Sequence, residues 1–96
     1  MMKQKDLFSR RDEILHIADR YGAYNVRIFG SLSRDDAGPD SDADFLVELE
    51  PGRTLLDQAG LMLELETLLG CSVDVVVEQG LRPRLRERIL AEAMKL

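Results

Sequence analysis

The residues able to do chemistry in this chain gather at Gly30-Ser31 and, after ten intervening residues, at Asp42-Ala43-Asp44. On a strand, residues two apart project from one face, roughly 7 Å apart at ~3.3 Å per residue. Asp42 and Asp44 at that spacing can lean together and share hard divalent cations. Mg2+ takes oxygen ligands and completes its shell with water and phosphate oxygens. Two such ions about 3.5–4 Å apart stabilise both the attacking and the leaving oxygen of a displacement at phosphorus. Gly30 allows close approach of the backbone to a ligand. The Ser31 hydroxyl and the amides of the turn after it can donate to phosphate oxygens. Arg34 is near enough in sequence to add a positive charge, and Ser41 can anchor the turn ahead of the first carboxylate. No Gly-Lys-Ser/Thr sequence is present, so this is not a Walker-type phosphate loop.

A third candidate lies downstream. Asp74 sits between Val73 and Val75 in an apolar run, and burying a lone carboxylate is costly unless it is paired or binds metal. Asp74 is therefore expected to be buried. If its strand lies beside that of Asp42 and Asp44, it completes a three-carboxylate cluster that can ligate the ion nearest a nucleophile. A lone Gly-Ser is ordinarily a loop, and a lone Asp-x-Asp an acidic surface turn. The three elements in order carry more weight than any one of them.

The elements that must position these residues can be read from periodicity. Ile14, Ile17, Ala18 and Tyr21 recur at the spacing of one helical face, which predicts a helix over residues 9–21, capped by Ser9 and ended by Gly22. His16 falls off that face and reads as an exposed helix residue. Residues 26–29 form a short strand ending at Gly30. Residues 30–41, rich in Gly, Ser, Asp and Pro, form a loop. Residues 42–50 alternate, with Ala43, Phe45, Val47 and Leu49 on one side and Asp42, Asp44, Leu46, Glu48 and Glu50 on the other. Pro51-Gly52 turns the chain into a helix over residues 54–69 stopped by Gly70. Its leucines spread over an arc of roughly 240°, wider than one sheet face requires. Either that helix is sandwiched within the core or part of it faces a second protein. Residues 73–77 form a third, largely buried strand, and Pro83 opens a last helix through residue 93. The expected fold is a small α/β (α+β) domain, one domain over residues 1–96, with a mixed sheet of three or four strands carrying helices.

Composition sets the outer bounds. Ninety-six residues with 45% hydrophobic content fit one globular domain. A single cysteine, Cys71, excludes an internal disulfide. The N-terminal residues do not read as a signal peptide, and no apolar run reaches the ~18 residues of a membrane span. These features point to a reducing cytoplasm and no membrane partner. A net charge of -5 disfavours general nucleic-acid binding. The acidic stretch at residues 35–44 contrasts with a basic tail of Arg82, Arg84, Arg86, Arg88 and Lys95. That contrast reads equally as a metal site beside an anion site or as ordinary surface charge.

With these residues in view, residues 26–47 resemble the nucleotidyltransferase core of the DNA polymerase β superfamily. The match is Gly30-Ser31, ten residues, Asp42-x-Asp44, with Asp74 in the place of the third carboxylate. The short length and the 83–93 ending are similar to the minimal nucleotidyltransferases of prokaryotes, and the resemblance spans about residues 10–95. It implies a polymerase-β-like fold and transfer of a nucleoside monophosphate from an NTP to a hydroxyl, with release of pyrophosphate. Asp42 and Asp44 would hold two Mg2+ ions, Asp74 would ligate one of them, and Gly30, Ser31, Arg34 and Ser41 would serve the nucleotide. ATP as the nucleotide rests on the family alone. Minimal members commonly act as antitoxins that adenylylate a tyrosine of a partner HEPN-domain ribonuclease toxin. One departure is Asp35, where many members carry glycine after the arginine; this bears on Arg34 but not on the carboxylates. Two other functions stay open: an antitoxin that neutralises its partner by steric binding, and transfer to a small molecule, for which 96 residues leave little room.

Overall fold

The computed structural model describes residues 3–34 and 42–96. Two short helices, α1 (Gln4–Ser9) and α2 (Arg11–Arg20), precede strands β1 (Ala23–Phe29) and β2 (Ala43–Leu49). Helix α3 (Leu55–Leu69) leads to β3 (Val73–Val77), a single 3-10 turn, α4 (Pro83–Glu92) and a two-residue strand β4 (Met94–Lys95). The sheet order is β3-β2-β1-β4. β1 runs antiparallel to β2 and β4, while β2 and β3 are parallel, joined by the α3 crossover.

The alternation expected in β2 sets the layers. Ala43, Phe45 and Val47 are buried with Ile28 of β1 and Val73 and Val75 of β3 against Leu7, Ile14, Ala18, Leu61 and Leu65 of the first three helices. Gly60 makes the α2–α3 approach possible, because a Cβ there would lie 2.5 Å from the Tyr21 ring. The other sheet face carries Asp44, Leu46 and Arg27 and is partly covered by α4. Leu46 is on the face expected from the alternation, yet it is fully buried, as is most of Ile89 of α4.

α4 is tied to this second face by charge. The Glu78 carboxylate receives Arg27 Nη1 at 2.5 Å and Arg86 Nη2 at 2.8 Å. Those two hydrogen bonds, that of Arg86 foremost, hold the Glu78 carboxyl below its usual range despite burial. Arg27 Nη2 is buried without a hydrogen-bond partner among the described residues, so Glu78 is its principal compensation.

Two expectations need correction. The single helix over residues 9–21 is two helices broken at Arg10 (φ -106°, ψ 17°). Ser9 does not cap the second; its hydroxyl donates back to the Asp6 carbonyl at 2.7 Å and closes α1. The break lets α1 deliver Leu7 into the core. Asp74 is exposed rather than buried. β3 is the sheet's edge strand, and Asp74 points from the face opposite the main core, so the flanking valines are buried while the carboxylate stays in water.

The third helix begins and ends as its sequence predicts. The Thr54 side chain accepts from the Leu56 N–H, the Asp57 carboxylate accepts from the Thr54 N–H, and Gly70 closes the helix at φ +70°. Its excess of leucine is not sandwiched within this chain: Leu55 and Leu56 are 80% and 83% exposed. α3 also guards the outer side of β3. Glu66 accepts the Val73 N–H at 3.1 Å and Gln58 donates to the Val75 carbonyl at 2.8 Å.

Candidate active site

β1 stops at Gly30, whose φ of +71° suits glycine. A Cβ there would also meet Asp44 Oδ2 at 2.5 Å, so the turn and the carboxylate are in direct contact only because position 30 has no side chain. The following turn is held from several sides. The Ser33 hydroxyl donates to the Gly30 carbonyl at 2.9 Å, the Arg34 N–H to the same oxygen at 3.3 Å, and Gln4 Nε2 to the Leu32 carbonyl at 3.1 Å. Leu32 plugs into the core beneath. Ser31 is half-buried on this turn and Arg34 is exposed at its end.

The carboxylates meet this turn through strand register. Asp44 is paired with Phe29, the residue before Gly30, on one side and with Asp74 on the other. Paired residues on neighbouring strands lie roughly 5 Å apart, so Asp44 and Asp74 stand side by side on one face. Asp42 precedes β2 by one residue and is exposed. Asp44 is strongly perturbed. Its carboxyl is pushed up to about 6, first by burial and then by the charges of Asp74, Asp42 and Glu92, with Arg34 opposing. Three carboxylates therefore act electrostatically on a fourth.

Such crowding is what a divalent cation relieves, and an all-oxygen donor set suits Mg2+. Among the described residues no three His, Cys, Asp or Glu side chains stand close enough together to hold a metal ion between them. Asp42, Asp44 and Asp74 offer only carboxylate oxygen, the donor type that Mg2+ takes.

The structure thus brings together Gly30, Ser31, Arg34, Asp44 and Asp74, with Asp42 within electrostatic reach of Asp44. Ser41 and Asp35 lie outside the described residues. One participant was not anticipated from the sequence. Glu92, the last residue of α4, accepts the Gly30 N–H at 3.0 Å and Arg34 Nη1 at 2.8 Å. Its signal was an acidic residue in the final turn of a helix, where the macrodipole favours a basic one.

A parallel-edged mixed sheet with a glycine turn beside paired carboxylates defines a nucleotidyl-transfer type of site. Residues 11–96 match the family model described as nucleotidyltransferase domain, and the chain belongs to that family. A candidate protein adenylyltransferase of Methanocaldococcus jannaschii is 42% identical over 82 residues, covering 85% of this chain and 88% of that protein. The protein adenylyltransferase MntA of Thermococcus cleftensis is 36% identical over 78 residues, covering 81% and 79%. Among solved structures, a candidate minimal nucleotidyltransferase superposes with TM-score 0.89 at 54% identity, covering 99% of this chain and 97% of that one. A toxin–antitoxin complex with AMP-PNP shares the fold at TM-score 0.77 and 19% identity, covering 88% of this chain and 69% of that one.

Proposed function

We propose that this protein is an antitoxin-type, Mg2+-dependent adenylyltransferase of the prokaryotic cytoplasm, a single domain over residues 1–96. It would transfer AMP from ATP to a tyrosine hydroxyl of a HEPN-domain ribonuclease toxin. The observation that carries this reading is the placement of Asp44 between the Gly30 turn and Asp74 in adjacent strand registers. The relatives named as protein adenylyltransferases and the toxin–antitoxin structure with AMP-PNP support it.

In this reading Gly30, Ser31, Arg34 and Ser41 hold the triphosphate, and Asp42, Asp44 and Asp74 hold two Mg2+ ions. When bound, those ions offset charge on the attacking and leaving oxygens. Asp74, on the edge strand β3, faces the acceptor and takes its hydroxyl proton. The acceptor oxygen bonds to the α-phosphorus, the bond from that phosphorus to the bridging oxygen breaks, and pyrophosphate leaves. An open groove of about 320 Å³ beside Asp74, lined by Leu55, Gln58, Ala59, Met62 and Val75, lies where a protein acceptor would arrive.

The test is transfer of label from α-labelled ATP, with Mg2+, to the protein encoded in the neighbouring reading frame. Labelling that is lost in Asp42→Asn and Asp44→Asn is expected; an unlabelled partner refutes the reading. The exposed Leu55 and Leu56 favour a second reading, steric neutralisation. It predicts that the Asp42/Asp44 double variant still neutralises the partner.

A further inference from the structure

The Gly30 turn already holds an anion, and that anion belongs to the protein. The Glu92 carboxylate spans the turn with both oxygens, Oε1 on the Gly30 N–H at 3.0 Å and Oε2 on Arg34 Nη1 at 2.8 Å. A backbone N–H at a glycine turn and a guanidinium beside it are the donors a phosphate oxygen pair would use. Two features show that Glu92 is not there for the helix. It ends α4, where a negative charge opposes the macrodipole, and the last turn contains no basic residue. It also adds a further negative charge next to Asp44, which is already crowded by Asp42 and Asp74. Its favourable contacts are those with the turn.

We propose that Glu92 is an internal stand-in for a substrate phosphate: it occupies the phosphate-binding turn in the free protein, is displaced by the incoming triphosphate, and so sets nucleotide affinity. This rests on the assignment of the turn to the nucleotide. A landing place for the displaced carboxylate is at hand. Arg88 is one helical turn earlier, at the i, i+4 spacing at which side chains meet. It lines the same open groove of about 310 Å³ as Gly30, Arg34 and Glu92. The Arg34–Glu92 pair is partly exposed, with side chains 51% and 32% accessible, so it can open without unfolding anything. Competition with Glu92 selects for a ligand of high charge density. A triphosphate can outbid one carboxylate for two donors where a singly charged anion gains little.

The test is calorimetric titration of the intact protein with AMP-PNP and Mg2+, and separately with inorganic tripolyphosphate, for the native chain, Glu92→Gln and Glu92→Asp. Removing the competing charge in Glu92→Gln should tighten both probes by the same factor, roughly twofold to fivefold, the scale of one exposed ion pair. Glu92→Asp keeps the charge but shortens the reach, and should also tighten binding. Unchanged or weaker binding in both variants, with normal binding by the native chain, overturns the proposal and makes Glu92 a strut for the turn. If neither probe binds any of the three proteins, the nucleotide role of the turn fails and this inference with it. If Glu92→Gln tightens binding but no partner protein is labelled, the inference stands and the acceptor assignment fails. Melting temperatures of the variants, measured alongside, show that each is folded.

Discussion

Replacing Asp44 with asparagine separates the demands of catalysis from those of stability. The native carboxyl is raised from 3.8 to about 6, so the folded state holds a proton there that the unfolded chain has released. Stability therefore falls as pH rises from about 3.8 to about 6, and the full penalty applies above that window. At ~1.36 kcal/mol per pH unit the penalty is at most about 3 kcal/mol. Asp44 is only partly shielded from water, and screening reduces this to about 1 kcal/mol. Asp44→Asn removes the charge with little change in shape. In EDTA at pH 8 the variant should melt above the native protein, by about 4–8 °C per kcal/mol for a domain this small. The gap should close as pH is lowered to 4. Adding Mg2+ at pH 8 should raise the native melting temperature and narrow the gap, while nucleotidyl transfer by the variant stays at background. Melting curves across pH 4–8, with and without metal, decide it. A variant no more stable than the native chain at pH 8, or a gap that widens on acidification, refutes the electrostatic account of the site.

Two further perturbations probe the scaffold. Gly30→Ala places a Cβ at φ +71° and 2.5 Å from Asp44 Oδ2; a loss of about 1–2 kcal/mol is expected in urea unfolding, with transfer falling further than the lost stability accounts for. A fully stable, active Gly30→Ala would contradict the close packing. Glu78→Gln leaves the Arg27 guanidinium, whose side chain is only 10% exposed, without its counter-charge, and should cost about 3 kcal/mol at pH 7. Because the Glu78 carboxyl lies below its usual 4.5 in the folded state, its contribution is present above 4.5 and is lost on acidification. The difference between variant and native urea midpoints should shrink accordingly, and a midpoint that barely moves at pH 7 would show that this ion pair does not pin α4.

Local signals made part of this molecule legible in its sequence. The strand over residues 73–77 and the Gly70 stop are written in β-branched residues and in a glycine after an apolar run. The alternation after Asp42 fixed which face carries the carboxylates. What escaped depends on contacts made at a distance. The break at Arg10 follows from Leu7 reaching the core, which no periodicity in residues 9–21 announces. β4 is two residues long and has no period to detect; its pairing with Arg27 and Ile28 is tertiary. The burial of Leu46 and the exposure of Asp74 both depend on where α4 lies across the second face. Within the candidate site, Gly30, Asp42 and Asp44 stood out because they lie close together in sequence. Glu92 arrives from 62 residues beyond Gly30, and only the fold brings it there.

The way α3 guards β3 limits how another chain can attach. An edge strand beside an active site is an open template for strand addition, with unpaired N–H and C=O groups in a row. Here Glu66 and Gln58 occupy two of those groups on β3, and the opposite edge is the two-residue β4. Neither edge offers a long free ladder. A strand laid against β3 would have to displace both side chains first, so the face beside Asp74 presents side chains rather than backbone, the exposed Leu55 among them.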